Sequence, residues 1–179
     1  PTAAWYAKVF HNIDIKAHGS GNSGATNSLR VMGKKAGIIV LIIDVLKGYL
    51  LVFFYNQYFP NQAHFGLLIG VFVVIGHVFS LFVNFKGGKG VASALGVILA
   101  VYPMGALLCI PVFILVVMLS KYVSLASLLT ALVFVLIVSF QHPDDLPYVI
   151  TAWFLLLLLI FTHRENIQKI FKGTENKFG

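Results

Sequence analysis

Long apolar stretches alternate with short polar ones along this chain. Residues 36–59 are apolar apart from Asp44, Lys47 and a polar end, and residues 65–85 contain His77 as their only titratable group. Residues 122–140 and Leu146–Thr162 are similar apolar runs. A helix of about twenty apolar residues crosses a hydrocarbon core about 30 Å thick, so each run predicts a membrane-spanning helix. Residues 91–120 do not fit one crossing, because a helix of about thirty residues would be about 45 Å long. Pro103 and Gly105 predict a break into two helices. Each is short for a full crossing unless the adjacent glycine loop dips below the surface, and backbone at that depth must line a wet cavity. Residues 1–10 are apolar and too short to span. In the tail, Ile167, Ile170 and Phe171 at helical spacing predict a helix lying on the membrane interface.

Charge supports the break. With it, alternate loops hold Lys16, Arg30, Lys34 and Lys35, then Lys86 and Lys89, then Lys121, then Arg164, Lys169, Lys172 and Lys177. The turns between them contain no Lys or Arg and carry Asp144 and Asp145. Cytoplasmic loops of membrane proteins collect basic residues, and one unbroken helix would put Lys121 and the basic tail on the wrong face. Six spans therefore follow the first polar loop, and the tail is cytoplasmic. The fold class is an all-α polytopic membrane protein, one integral-membrane domain over residues 1–179. Composition agrees, since 59% of residues are hydrophobic and 11% charged, where a soluble domain has about 25% charged. The net charge of +7 is dispersed between spans, which argues against nucleic acid. Cys109 is the only cysteine, so no disulfide framework or thiolate metal site is expected.

This topology gathers four polar clusters on one face: Gly19–Arg30, Lys86–Gly90, Ser124 with Ser127, and His163 to Asn166. The first packs glycines, hydroxyls, amides and Arg30 together. Such stretches are often plain loops, but glycines let backbone N–H groups approach an anion and an arginine fork matches phosphate. Glycine loops, cations, hydroxyls and a histidine on one surface suit a phosphorylated, water-soluble substrate beside lipid. Lys86-Gly-Gly-Lys-Gly90 is not a nucleotide P-loop, because Val83 stands where the first glycine belongs and Gly90 follows Lys89. No His or Cys cluster has metal spacing. Within the spans, Asp44 and Lys47 at i, i+3 most simply neutralise each other, and His77 requires a functional or paired role. A transporter of phosphorylated solutes is the alternative class. It calls for internal repeats and charges along a two-sided path, and the chain shows no repeat.

In order, Ser20-Gly-Asn-Ser-Gly-Ala-Thr-Asn-Ser-Leu-Arg30, Gly76-His77 with Phe85-Lys-Gly-Gly-Lys-Gly-Val-Ala92, Tyr122-Val-Ser-Leu-Ala-Ser127, and His163-Arg-Glu-Asn-Ile167 with Gly173 and Glu175 resemble the bacterial acyl-phosphate:glycerol-3-phosphate acyltransferases, the PlsY family. The match runs in register over essentially the whole chain. The resemblance implies a seven-transmembrane-helix bundle, with the first helix represented here only by its end, and short re-entrant-like polar loops on the cytoplasmic face. It implies a multi-pass enzyme of the bacterial plasma (inner) membrane, with its site facing the cytoplasm. The reaction would move a fatty acyl group from acyl phosphate to the 1-hydroxyl of glycerol 3-phosphate, without cofactor, metal or nucleic acid. Ser20, Arg30, Lys89, His163 and Asn166 would carry catalysis. Gly19, Gly21, Asn22, Gly24, Asn27, Lys86, Gly87, Gly88, Ser127 and Arg164 would bind substrate phosphate, with Glu175 supporting them. His163 would act either as base or as an orienting group while the departing phosphate takes the proton.

Overall fold

The computed structural model describes residues 1–178, and these form helices joined by short loops. A short helix α1 (Thr2–Tyr6) continues through a π-helical turn, Ala7–His11. The polar stretch then runs into α2 (Ala25–Met32), and Gly33 turns the chain into α3 (Lys34–Tyr58), 25 residues long. The later helices are α4 (Ala63–Val78), α5 (Val91–Val101), α6 (Pro103–Ser120), α7 (Val123–Gln141), α8 (Leu146–Thr162) and α9 (Arg164–Phe171). Segments Lys34–Tyr58, Pro60–Val83, Pro103–Ser120 and Val123–Gln141 are each long and apolar enough to cross a bilayer. A fifth span results if α8 and α9, bent by 60° at His163, count together.

The expected break falls at Tyr102, and Pro103 opens α6 at a position where its missing N–H costs nothing. α5, at 11 residues, is about 16 Å long and cannot cross alone. The loop before it holds Lys86–Gly90, and α5 is not among the helices long enough to span. α5 lies against α3 through glycines: a Cβ on Gly48 would overlap the Ser93 carbonyl, and one on Gly96 would overlap that of Val45. Small residues let helix backbones touch, which is how helices gain packing energy inside a bilayer. α8 begins with Asp145 accepting from the Tyr148 N–H at 3.2 Å and with Pro147 in its first turn.

Two apolar clusters fill the bundle. Val52, Val74, Val78, Ala94, Val97 and Leu155 join α3, α4, α5 and α8. Leu67, Cys109, Phe134, Val135, Val138, Tyr148, Ala152 and Leu156 join α4, α6, α7 and α8. Large side chains such as Phe72, Leu119 and Phe140 point outward. In water that surface would be a liability, but against lipid tails it is the solvent-matched face.

Candidate active site

One cavity of about 760 Å³ runs from the loop end of the helices into the bundle. Its upper wall contains Ser20, Arg30, Lys89, Ser124, Ser127, His163, Asn166 and Glu175. Its lower wall is apolar and includes Leu95, Ile98, Phe113, Val117, Phe134 and Leu156. Four stretches far apart in sequence thus meet around one space.

Each polar group is positioned by a local cause. In the first loop Asn27 is the organiser. Its Oδ1 accepts from the Ser20 N–H at 2.8 Å, and its Nδ2 donates to the carbonyls of Asn22 (2.9 Å), His18 (3.0 Å) and Ile15 (3.2 Å). Gly19, at φ +61°, has no room for a Cβ against the Asn27 amide, so this turn requires glycine. Arg30 leaves α2 toward the tail, where Nη2 donates to the Asn176 carbonyl at 3.1 Å.

Lys89 reaches the site from a loop seated on the end of α4. The Gly87 N–H donates to the Val78 carbonyl at 2.8 Å, and a Cβ on Gly87 or Gly88 would overlap the backbone or ring of His77. These two glycines therefore allow close packing and do not line the cavity. Thr162 Oγ1 holds the Lys89 carbonyl at 3.1 Å. The Lys89 ammonium donates to Asn166 Oδ1, Asn166 Nδ2 donates to Glu175 Oε1 at 2.6 Å, and Ser124 Oγ donates to the same oxygen at 2.8 Å. Glu175 Oε2 is buried without a partner. Burial pulls the Lys89 pKa down to about 8, with Glu175 opposing and Lys169 and Arg30 assisting.

His163 sits at the bend between α8 and α9, 2% exposed. Its Nδ1 lies 2.8 Å from the Leu159 carbonyl. A carbonyl only accepts, so Nδ1 carries the proton and Nε2 keeps its lone pair. Burial first, then the Lys89 charge, lower the ring's pKa to about 4, against which the Leu159 hydrogen bond and Glu175 push. The imidazole is therefore neutral near pH 7.

The structure does not bring every expected residue to the cavity. Asn22, Gly24 and Asn27 line it, whereas Gly19, Gly21, Lys86 and Arg164 do not. Arg164 Nη1 donates to the Phe161 carbonyl at 3.0 Å, and its guanidinium lies 4.5 Å from the Phe161 ring centroid. Below the loop, Lys47 Nζ lies 2.6 Å from Asp44 Oδ1 and 2.5 Å from His77 Nδ1, and Thr2 Oγ1 donates to Asp44 at 2.7 Å. Asp44 and Lys47 do pair, and His77 has a partner, as the sequence implied. Among the described residues no group of three His, Cys, Asp or Glu could hold a metal ion.

A family model described as glycerol-3-phosphate acyltransferase matches residues 1–173. The chain belongs to this family. A glycerol-3-phosphate acyltransferase from Fusobacterium nucleatum is 46% identical over 129 residues, 72% of this chain and 66% of the relative. One from Listeria monocytogenes is 50% identical over 131 residues, 72% of this chain and 65% of the relative. The chain thus spans about two thirds of the length of these curated relatives. Two solved structures of PlsY, described as an integral membrane glycerol 3-phosphate acyltransferase, superpose closely. The glycerol 3-phosphate form gives a TM-score of 0.92 at 35% identity, covering 99% of this chain and 90% of that one. The lysophosphatidic acid form gives 0.89 at 36% identity, covering 99% and 88%.

Several contributors escaped the sequence reading. Thr162, which holds the Lys89 carbonyl, ends an apolar run just before the His163 motif and was read only as the end of a span. Phe178 lines the cavity and donates its N–H to the Lys121 carbonyl at 2.7 Å, strapping the tail across the site. The only available signal for that strap was Gly173 with Glu175, whose packing needs the fold.

Proposed function

We propose that this protein acylates the 1-hydroxyl of glycerol 3-phosphate at the cytoplasmic face of the bacterial inner membrane, using acyl phosphate as donor and producing lysophosphatidic acid and phosphate. The observation that carries this reading is the single cavity joining a cationic, hydroxyl-lined mouth to an apolar groove. Such a space fits a small phosphorylated alcohol at the top and a fatty chain below. Solved relatives in glycerol 3-phosphate and lysophosphatidic acid forms support the acceptor and the product. The cytoplasmic orientation is supported by the basic residues gathered at the cavity's end of the bundle. The intact bundle would have seven spanning helices.

Arg30 and Lys89 bind the two phosphates, and Ser20, Ser124 and Ser127 donate hydroxyls to phosphate or accept from glycerol. The 1-hydroxyl oxygen attacks the acyl carbonyl carbon, the bond from that carbon to the phosphate oxygen breaks, and the departing phosphate leaves with the hydroxyl proton. Lys89 stabilises the negative charge as it moves. His163 Nε2 accepts from the attacking hydroxyl and aims it, and Asn166 fixes the Lys89 ammonium. Positioning supplies most of the rate. A base works best with a pKa near the working pH, and the lowered value of His163 favours the orienting role.

The test is phosphate release from palmitoyl phosphate by the purified protein, with and without glycerol 3-phosphate, with lysolipid measured alongside. Release that depends on the acceptor and yields equal lysolipid supports the reading. Vesicle uptake of glycerol 3-phosphate without lysolipid formation would establish the transporter instead.

A further inference from the structure

We infer that the groove has a protein floor that measures the acyl chain, built around Phe134 and Cys109; this rests on the acyltransferase reading and names its chain-length determinant. α6 shows the groove closing with depth. Its cytoplasmic end is at Ser120, and toward its other end Met118 is 65% exposed, Ile114 51%, Ile110 38%, Cys109 5% and Ala106 0%. The same residues line the cavity. A chain in this groove therefore meets lipid near the polar mouth and protein at its tip.

The tip is enclosed from three helices. Phe134 of α7 is 5% exposed, Cys109 of α6 is 5%, and Ala152 and Leu155 of α8 are 3% and 6%. Phe134, Ala152, Leu155 and Ile98 also line a second, much smaller apolar void of about 10 Å³. These four residues thus border both the long groove and a nearly filled void. The Phe134 ring is the largest of their side chains.

The depth follows from helix geometry. Ser124 to Phe134 on α7 and His163 to Ala152 on α8 each span about 15–17 Å at the rise of an α-helix. An extended alkyl chain with carbon–carbon bonds near 1.5 Å advances about 1.25 Å per carbon, so about twelve to fourteen carbons fit between polar ring and floor. A longer chain must bend out between the exposed α6 side chains, and a shorter one leaves apolar wall uncovered.

The experiment measures binding to the purified full chain of lysophosphatidic acids carrying lauroyl, myristoyl, palmitoyl or stearoyl groups, followed by competition among the matching acyl phosphates. Affinity in the unaltered protein is expected to rise with chain length and then level off where the floor is met. Phe134→Ala joins the groove to the void and moves that break to longer chains, and Cys109→Phe moves it to shorter ones. Two methylenes gained or lost change relative affinity on the order of tenfold. If Phe134→Ala does not fold, Phe134→Leu makes a smaller cut in the same direction. Folded variants that leave the ranking of chain lengths unchanged in both directions overturn the floor. Binding needs no turnover, so a protein inert toward acyl phosphate would sink the proposed reaction and still report the floor. An active enzyme with unaltered ranking sinks the floor alone.

Discussion

Two regions of this bundle contain the same chemical inventory, a carboxylate, a lysine and a histidine, and use it in opposite ways. In the lower set, Lys47 bridges directly to Asp44 and to His77 Nδ1, and Thr2 caps the carboxylate. The charges cancel inside the cluster. In the upper set, Asn166 stands between Lys89 and Glu175, and His163 donates to backbone. That leaves an ammonium with donors to spare, an imidazole lone pair and one unpartnered carboxylate oxygen around an open cavity. A buried ion pair contributes little net stability, but losing one partner of it is expensive. Asp44 and His77 line the same cavity, but their polar atoms are spent on Lys47 and Thr2, so the lower set is a fastening and the upper set is a site. An asparagine spacer and a backbone acceptor are what separate the two outcomes.

Removing the lysine from each region should break the comparison most visibly. Lys89→Met is expected to lower turnover on the order of 10²–10³-fold, as when one preorganised charge-stabilising donor is lost, with the protein still folded. Near-normal turnover would take Lys89 out of the site. Lys47→Met should leave Asp44 as an uncompensated buried charge and cost about 3–5 kcal/mol of stability, measured by denaturation in detergent micelles. Adding Asp44→Asn should recover part of that loss. If Lys47→Met melts like the parent, the lower set is not a fastening.

This contrast was only partly legible in the sequence. Hydropathy located the long apolar helices, and with the alternation of basic loops it located the break before Pro103, because those signals are carried by composition. Of the six expected spans, four helices are long enough to cross, or five with the bent α8–α9 pair. The i, i+3 spacing of Asp44 and Lys47 announced their pairing. Distances across the fold were silent. Gly87 and Gly88 resemble a phosphate cradle, yet they are glycines because His77 lies against them. Arg164 adjoins His163 in a motif, but one helical step turns a side chain by about 100°. His163 and Asn166, three residues apart, share a face, while Arg164 is carried round to Phe161. Asn27 lines the cavity as expected, but the sequence did not show that its amide also shapes the loop that presents Ser20.

Acidity sharpens the same comparison with a smaller effect. Lys89 is charged below its pKa of about 8 and loses its proton above it. kcat/KM reports the free enzyme, so it should fall about tenfold per pH unit above that value as the cation disappears. His163 is already neutral there and should add no limb near its ordinary pKa. Lys89→Arg, with residual turnover, should carry the basic limb out of range, since arginine stays protonated. A limb that persists in Lys89→Arg belongs to another group.

The smallest predicted effect tests the spacer itself. Glu175 does not touch Lys89, but its charge raises the Lys89 pKa against the dominant pull of burial. Glu175→Gln retains an oxygen to accept from Asn166 and Ser124, so the shape of the site should survive while the charge is lost. Lys89 should then give up its proton at a lower pH. The basic limb of kcat/KM would move down by a fraction of a unit to one unit, and activity measured near pH 7.5 should fall a few-fold. Lowering the pH should restore it, which a merely damaged fold could not do. If activity falls but the limb stays where it was, Glu175 acts by holding Asn166 and not by its charge. The upper set would then resemble the lower one more than its geometry suggests.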